Sequence, residues 1–363
     1  MSIYFVLPAV IVIFGIPCFK ANSDDRSKKR FLFAAYALLF FIMALRGETV
    51  GIDNANYSLQ YILIGNTRDF MDIISSAPVY NLYNKILYLV FPYRQAIVIA
   101  NALIICVCTA VFIYHFSDNV VFSTLCYILL YFYLRSFNIS RQYLSCALML
   151  IAACKVDNKK IIPAIILSLL ATGIHNLAII FFPFLFLVHM KIRKEKILLI
   201  SLGCIIFSLA FSYIFPIVVN SFAKVFTRYQ VYLGGGRHTF TDTGQGRNIL
   251  LTIFYAAFLV LDILFIFIND SSAMGTRKKL EKILVISMIG IVLGLAAAQN
   301  LAVARMRIYF SIYLVCLLPN TIELFKKYKM PIYILCVLIL LIPFYIQLSD
   351  NISGVVPYKF FWQ

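Results

Sequence analysis

The residues best suited to chemistry in this sequence are arginines that stand beside small, polar and aromatic residues. One such stretch, 45–61, reads LRGETVGIDNANYSLQY, with Arg46 near its start and two glycines that permit a tight backbone path. Asp53, Asn56 and Tyr57 follow, and their polar groups suit the hydroxyls of a sugar. A helix cap followed by a polar loop accounts for the same residues, so both interpretations stay open at this point.

Two further stretches place polar residues beside apolar runs. Arg141 and Gln142 begin one such run. A guanidinium at that position either binds an anion or extends to the membrane–water interface. His175 and Asn176 stand between two other short apolar runs. Histidine serves as a general base near neutral pH, although a packed or hydrogen-bonded histidine gives the same pattern.

Two later segments also contain arginines. The segment 220–248 holds Arg228 and several glycines, which favours a mobile loop that gates the substrate. Glycine-rich backbone can bind phosphate, but the spacing here is not that of a P-loop. Arg305 and Arg307, in 300–314, are two positions apart, or about 200° on an ideal helix. Only one of them can then face a given side of a regular helix.

The composition indicates which kind of fold positions these residues. Hydrophobic residues make up 63% of the 363 residues and charged ones 13%, whereas soluble domains contain about 45–50% apolar residues. We therefore expect an all-α integral membrane protein and exclude a soluble enzyme, a disordered tail and a collagen-like chain. At about 20 residues per span, one transmembrane domain of about twelve helices uses the whole chain, 1–363. The apolar runs lie near 3–19, 31–45, 96–116, 120–134, 142–154, 161–173, 176–190, 197–219, 249–268, 283–299, 308–322 and 331–348.

The segment 79–93 differs from these runs. Asn84 and Lys85 interrupt it, while its apolar residues recur at helical spacing. We expect an external amphipathic or re-entrant helix at the membrane interface and not a span. The larger external loops are then 46–95 and 220–248.

The net charge of +17 comes from basic residues that fall into two groups once the loops are assigned to the two sides of the membrane. Five basic segments fall on one side, which the positive-inside rule assigns to the cytoplasm. They are 20–30, 155–160, 191–196, 277–282 and 323–329. That side holds 15 Lys and 4 Arg, whereas the external side holds 3 Lys and 10 Arg. Because Arg is preferred where a planar fork binds phosphate or carboxylate, we expect an anionic external substrate and no nucleic acid.

Motifs of several other chemistries are missing from the sequence. It contains no DxD pair, no HExxH, no P-loop and no GxSxG, and its nine cysteines lack CxxC spacing. We therefore expect no metal site and no cofactor.

Taken in order, five motifs resemble the EpsG-like, Wzy-type polysaccharide polymerases of bacteria. The resemblance runs from about residue 30 to 320, and Ala77 stands where the family usually has Glu. The motifs are R-x-x-x-V-G-x-D-x-x-N-Y at 46–57, A-P-V-Y at 77–80, N-x-x-R-Q-x-L at 138–144, G-x-H-N at 173–176 and R-x-R-x-Y-F at 305–310.

The resemblance implies a membrane glycosyltransferase of glycosyltransferase-C-like character. Such a protein transfers a growing glycan from undecaprenyl pyrophosphate to the non-reducing end of a lipid-linked repeat unit, without a metal, at the periplasmic face of the bacterial inner membrane. The implied partners are the lipid-linked donor and acceptor oligosaccharides, membrane lipid and a chain-length regulator protein.

Site roles follow from the same resemblance, and we expect in-line attack that inverts the anomeric centre. The pyrophosphate would be bound by Arg46, Arg141, Arg228 and one of Arg305 or Arg307. The catalytic base would be His175 or, failing it, Asp53. The sugar would be bound by Asn56, Tyr57, Gln142 and Asn176.

Three other functions remain open. A flippase for lipid-linked oligosaccharides would also bind pyrophosphate, but alternating access favours basic residues deep inside spans and repeat symmetry. A membrane acyltransferase would use His175 and Asn176 but leaves the external arginines poorly explained. An O-antigen ligase is closest in chemistry and would depend on a lipid A core as acceptor.

Overall fold

The computed structural model describes residues 2–19, 24–74, 77–188, 274–296 and 301–363, together with isolated positions between 196 and 263. Most of these residues are helical, and they form no strand beyond one isolated bridge, between Arg46 and Phe360. The all-α fold is therefore confirmed. The chain divides into two compact units, and a single domain stays a prediction. The larger unit is Met1–His189 with Leu314–Gln363, and the smaller is Met190–Tyr313.

The larger unit consists of helices joined by short turns. In chain order they are α1 Ser2–Gly15, α2 Asp25–Ala44, α3 Asn54–Asn66, α4 Phe70–Ile73, α5 Pro78–Val90, α6 Gln95–Phe116, α7 Val120–Leu129, α8 Phe132–Asn138, α9 Ser140–Asp157, α10 Ile161–Ile174, α11 Ala178–Phe181, α14 Leu314–Glu323 and α15 Lys329–Ser349. Short 3-10 turns cover Ile16–Phe19, Phe182–Val188 and Lys326–Tyr328. The helices α12 and α13 belong to the smaller unit and are described below.

Capping residues set where several of these helices begin. The Asp24 carboxylate accepts a hydrogen bond from the Ser27 backbone N–H at 2.8 Å, which satisfies a free donor at the start of α2. The Asn119 side chain does the same for the start of α7. Pro78 occupies the first turn of α5, where its missing N–H costs nothing.

The centre of the larger unit is α7, whose side chains are all buried. It packs against α1, α2, α14 and α15. Its sequence VVFSTLCYIL has no charged residue, and a helix that is apolar on every side is buried on every side. The helix bends by 49° into α8 next to Tyr131, which has a positive φ of 68°.

One end of the larger unit, here called the basic end, gathers three of the basic segments that the sequence places on one side. The contacts that join them are those of Tyr114 with Asp25, His115 with Asp157 and Asn119 with Glu323. The starts of α2 and α7 and the ends of α6, α9 and α14 therefore lie together, as the predicted orientation requires.

At the opposite end, here called the tail end, residues 350–363 lie along the segment that follows α2. Backbone hydrogen bonds of 2.8–2.9 Å join Gly47 to Lys359, Leu45 to Phe361 and Gly51 to Gly354. The hydroxyls of Tyr4 and Tyr358 add contacts of 2.9 Å to Val355 O and Ile42 O. The tail and the first predicted external segment therefore form one structure.

The helix predicted over 79–93 is present as α5, and it packs against α3 and α6. Its polar residues face inward, with Asn81 and Asn84 buried, whereas Leu82, Ile86 and Leu89 are exposed. Lys85 reaches the end of α3 and donates to the carbonyls of Gly65 and Thr67 at 2.7 Å. With 13 residues, α5 is too short to span a bilayer, so this amphipathic helix is not a span.

The described part of the smaller unit contains two helices that pack closely, α12 Met274–Ala296 and α13 Leu301–Ser311. A Cβ at Gly290 would lie 2.7 Å from the backbone of Ser311, and one at Gly294 would lie 3.4 Å from the Arg307 guanidinium. Small residues four positions apart bring membrane helices together in this way. Arg305 and Arg307 lie within α13, two positions apart on a helix, as expected from the sequence.

The apolar helices agree with a membrane protein. By length and composition, Gln95–Phe116 and Lys326–Ser349 could each cross a membrane, as could the bent pair of α7 and α8 taken together. Apolar side chains project outward, for example Phe33 with 80% exposure, which is typical of surfaces that face lipid. The count of about twelve spans stays a prediction. The predicted runs 197–219 and 249–268 and the loop 220–248 lie outside the described residues.

Candidate functional site

Arg46 links three elements at the tail end. Its side chain is completely buried. The guanidinium donates to the Met43 carbonyl in α2, to Asn54 Oδ1 at 3.2 Å and to the Phe137 carbonyl in α8 at 3.4 Å. Its central carbon also lies 4.9 Å from the centroid of the Phe137 ring. The segment that enters α3 is therefore held between the end of α2 and the end of α8.

The charge of Arg46 is surrounded by neutral dipoles. Its partners among the described residues are two carbonyls, one amide oxygen and an aromatic ring. Burial lowers the pKa of Arg46 to about 10, so the side chain remains charged at neutral pH. The contact of Arg46 with a pyrophosphate stays a prediction.

Gly51 and Asp53 lie against the junction of α8 and α9. Gly51 has a φ of +101°, and a Cβ there would lie 2.4 Å from Phe137 O, so only glycine fits. The backbone N–H of Asp53 donates to Asn138 Oδ1 at 2.9 Å. The tight path predicted for this segment is confirmed at Gly51. The half-buried Asp53 carboxylate has no hydrogen bond or ion pair with another described residue.

Tyr80 joins α3, α5 and α9. Its buried ring lies edge-on to Tyr57, with centroids 6.5 Å apart, and Arg141 lies over it at 5.8 Å. Asp53 and Tyr57 are four residues apart at the start of α3, so they share one face of that helix. Tyr57 and Arg141, two of the predicted site residues, are thus brought around one tyrosine, and Asp53 lies one helical turn before Tyr57.

The end of α10 reaches the same cluster. Ile174 packs with Tyr80 and Leu144, and a Cβ at Gly173 would lie 2.2 Å from the side chain of Val79. His175 follows Ile174 directly and is partly buried at the end of α10. The end of α10 thus contacts the group around Tyr80 through Ile174, and the role of His175 stays a prediction.

The remaining predicted residues are more dispersed. Asn56 and Asn176 are exposed, whereas Gln142 is buried in α9. Arg305 and Arg307 lie on α13 in the smaller unit. Arg228 lies outside the described residues. The roles predicted for these residues stay predictions.

Three polar residues of the cluster were not predicted as site residues. Tyr80 was recognised only as part of the A-P-V-Y motif, and Asn84 only as an interruption of an apolar segment. Asn101 is a polar residue inside the apolar run 96–116. A polar residue within an apolar membrane helix is a signal of function, and it would have identified the two asparagines.

The described residues contain no group of three or more His, Cys, Asp or Glu side chains that could hold a metal ion. A protein-family model described as the EpsG family matches residues 29–360. That match runs from α2 to the tail and includes every residue of the cluster around Tyr80. In comparisons with curated proteins and with solved structures, nothing matches the chain.

Proposed function

Because the chain belongs to the EpsG family, we propose that it polymerises a polysaccharide at the membrane. The donor is a glycan on undecaprenyl pyrophosphate, and the acceptor is the non-reducing end of a second lipid-linked repeat unit. Both substrates are in the bacterial inner membrane, with the site at its periplasmic face. The family and the apolar helices support the coarser conclusion of a membrane protein of polysaccharide biosynthesis.

The observation that carries this proposal is the grouping of Tyr57 and Arg141 around Tyr80, with Asp53 one helical turn before Tyr57. It combines a cation, a carboxylate and aromatic surface at one end of the larger unit, the end opposite the basic segments. A cation can bind the pyrophosphate leaving group, a carboxylate can act as the catalytic base, and tyrosine rings can pack against a sugar. No nucleotide is needed, because the donor is already activated by its pyrophosphate.

In the proposed reaction, an acceptor hydroxyl attacks C1 of the donor sugar from the side opposite the pyrophosphate. The bond from C1 to the pyrophosphate oxygen breaks, and undecaprenyl pyrophosphate leaves with the electron pair. Arg141 stabilises the negative charge that develops on the leaving oxygen, an effect worth about 3 kcal/mol for one well-placed donor. Asp53 or His175 accepts the proton of the attacking hydroxyl. Tyr57, Asn56, Gln142 and Asn176 bind the sugars.

For Arg46 we propose a positioning role in place of direct contact with the pyrophosphate. Its two terminal nitrogens donate to acceptors on Met43, Asn54 and Phe137, and its completely buried side chain leaves only Nε without a partner among the described residues. These bonds hold the segment that carries Asp53 against the end of α8. The pyrophosphate is then left to Arg141, with Arg228 and one of Arg305 or Arg307 as further ligands.

Polymerisation is tested with purified protein in detergent and lipid-linked repeat units from the organism that encodes the chain. A polymerase converts them to a ladder of longer glycans without a sealed membrane, whereas a flippase leaves their length unchanged. An O-antigen ligase extends nothing unless a lipid A core is added. Wild-type protein that produces no longer glycan in this assay would contradict the proposed function.

The clamp is tested with Arg141→Lys, which keeps the charge and loses the fork. We expect the polymerisation rate to fall by about a hundredfold, in line with the loss of one well-placed donor. Arg94→Lys is the matched control, because Arg94 is exposed and 3.3 Å from Glu48. A normal ladder from Arg141→Lys would remove Arg141 from the site.

Asp53→Asn and His175→Gln identify the base. Each substitution keeps the approximate size of the side chain and removes its ability to accept a proton. We expect one of them to abolish polymerisation while inhibition by inorganic pyrophosphate is retained. If both variants polymerise at near wild-type rate, neither residue is the base.

A further inference from the structure

Buried polar atoms without partners are concentrated around Tyr80. The hydroxyls of Tyr80 and Tyr83, both polar side-chain atoms of Asn84, Oδ1 of Asn101 and Nε of Arg141 form no hydrogen bond with any described residue. Tyr80, Asn84 and Asn101 are at most 1% exposed. We refer to these three residues as the polar floor.

The residues of the polar floor come from two helices and meet at one point. Tyr80 and Asn84 are four residues apart on α5, so they lie on the same face. Asn84 and Asn101 both adjoin the Tyr80 hydroxyl. Arg141 lies over the Tyr80 ring from α9, and Tyr57 meets its edge from α3. Both of these neighbours are partly exposed, whereas the three residues of the floor beneath them are buried.

Unpaired polar atoms are unusual in the interior of a protein. Well over nine-tenths of buried backbone groups and most buried side-chain polar atoms have a hydrogen-bond partner, because desolvation without one is unfavourable. Elsewhere in the larger unit such atoms occur one to a residue, for example the hydroxyls of Tyr36, Tyr127 and Tyr131, whereas both polar side-chain atoms of Asn84 are unpaired. Other buried polar side chains of this unit are paired. Thr109, also on α6, donates to Ile105 O at 2.7 Å, and Asn320 donates to Phe116 O at 2.8 Å. The floor therefore has donors and acceptors that a ligand could use.

The mixture of atoms indicates the class of ligand. Asn84 offers an unpaired donor and an unpaired acceptor, and a tyrosine hydroxyl can do both. Phosphate oxygens only accept hydrogen bonds and would leave Asn84 Oδ1 unpaired, and a lipid chain offers neither donor nor acceptor. Sugar hydroxyls donate and accept, and the rings of Tyr57 and Tyr83 provide aromatic surface for the faces of a sugar.

We propose that the polar floor binds the sugar that is attached directly to the lipid pyrophosphate, with Arg141 beside the phosphate that this sugar carries. The proposal rests on the proposed function only for the lipid-linked nature of the sugar. It assigns Tyr80, Asn84 and Asn101 to sugar recognition. It also explains why polar residues interrupt two otherwise apolar helical segments.

The test compares Tyr80→Phe, Asn84→Leu and Asn101→Leu with wild type, as full chains in detergent. Isothermal calorimetry measures the binding of three probes: farnesyl pyrophosphate, and the same lipid pyrophosphate carrying either glucose or N-acetylglucosamine. We expect wild type to bind at least one sugar-bearing probe more tightly than the plain one. Each variant should lose about tenfold in affinity for that probe, as for one or two lost hydrogen bonds, and nothing for plain farnesyl pyrophosphate.

The melting temperature of the ligand-free protein provides a second readout. Because each variant removes an unpaired buried polar group, we expect it to melt about 2–4 °C higher than wild type. Thr109→Val is the matched control, since its hydroxyl already has a partner on the same helix. It should not raise the melting temperature and should leave both affinities unchanged.

Several results would overturn the inference. One is equal binding of all probes by wild type, or no binding of any probe. Another is a fall in melting temperature with unchanged affinities, which would mean that internal water pairs with the floor. Binding needs no glycosyl transfer, so wild type that binds the sugar-bearing probe without polymerising contradicts the proposed function alone. If none of the three variants changes polymerisation or probe binding, the proposed role of the polar floor in sugar binding is wrong, and the proposed function is unaffected.

Discussion

Replacing Arg46 by Lys tests how far one buried guanidinium holds the candidate site together. The acceptors around Arg46 belong to α2, to the start of α3 and to α8. Lysine keeps the positive charge, but its ammonium is a single point on a flexible stem and cannot serve all three directions. We expect it to keep the carbonyl of α2 and to lose Asn54 and Phe137.

The size of the effect follows from those two contacts. A hydrogen bond from a charged group contributes about 1.5–3 kcal/mol. The hydrogen bond to Asn54 is 3.2 Å long and that to Phe137 is 3.4 Å. Because both are long, we assign each a free energy near the lower limit of that range. The expected loss is then about 3 kcal/mol, a large part of the roughly 5–15 kcal/mol that stabilises a folded protein. At about 2–4 °C per kcal/mol, the melting temperature should fall by about 6–12 °C.

Thermal unfolding, the glycan ladder and inhibition by inorganic pyrophosphate together test this reasoning. A positioning role predicts a lower melting temperature and slower polymerisation, with an inhibition constant for pyrophosphate close to that of wild type. Arg141→Lys should weaken that inhibition, whereas the exposed Arg94→Lys should change none of the three. If the melting temperature of Arg46→Lys is unchanged while its inhibition by pyrophosphate is clearly weakened, the positioning role of Arg46 is refuted, because Arg46 would then contact the pyrophosphate.

Three further substitutions test the packing at both units. Gly51→Ala combines an unfavourable φ with a Cβ 2.4 Å from Phe137 O, so we expect thermal unfolding to show a loss of about 2–4 kcal/mol, against almost none for Gly275→Ala, where no atom lies within 4 Å. Tyr358→Phe removes one hydrogen bond from the tail to α2 and should cost about 1 kcal/mol in the same assay; no change would mean that the tail is held without it. Gly290→Ala places a methyl group against the backbone of α13 and should lower both stability and polymerisation, and wild-type values for both would contradict the close packing of α12 and α13.

Much of the fold follows from periodicity and composition. Apolar runs predict most of the helices of the larger unit to within a few residues, because a helix in lipid must satisfy its backbone internally. The short helix α5 is also predicted, since Asn84 and Lys85 break its apolar run. The inward direction of its polar face is not predictable, because helical spacing reveals a face but not whether lipid or protein covers it.

The site is predictable in its residue types more than in its contacts. The spacing of Asp53 and Tyr57 predicts a shared helix face. The meeting of Tyr57 with Arg141 depends on Tyr80, which the sequence shows only as part of the A-P-V-Y motif. The burial of Arg46 is also invisible in the sequence. Its environment is built by Phe137 and by the tail, which are distant along the chain, and sequence spacing says nothing of such contacts.

Pairing of the tail with the first segment after α2 sets an order for biosynthesis. Tyr358 and Ile42, which it contacts, are 316 positions apart. At about 5–20 residues per second, a ribosome needs roughly 15–60 s to travel that distance. Throughout that interval Leu45, Gly47 and Gly51 lack their backbone partners Phe361, Lys359 and Gly354. The segment that leads into α3 can therefore complete these hydrogen bonds only after residues 354–361 have been synthesised.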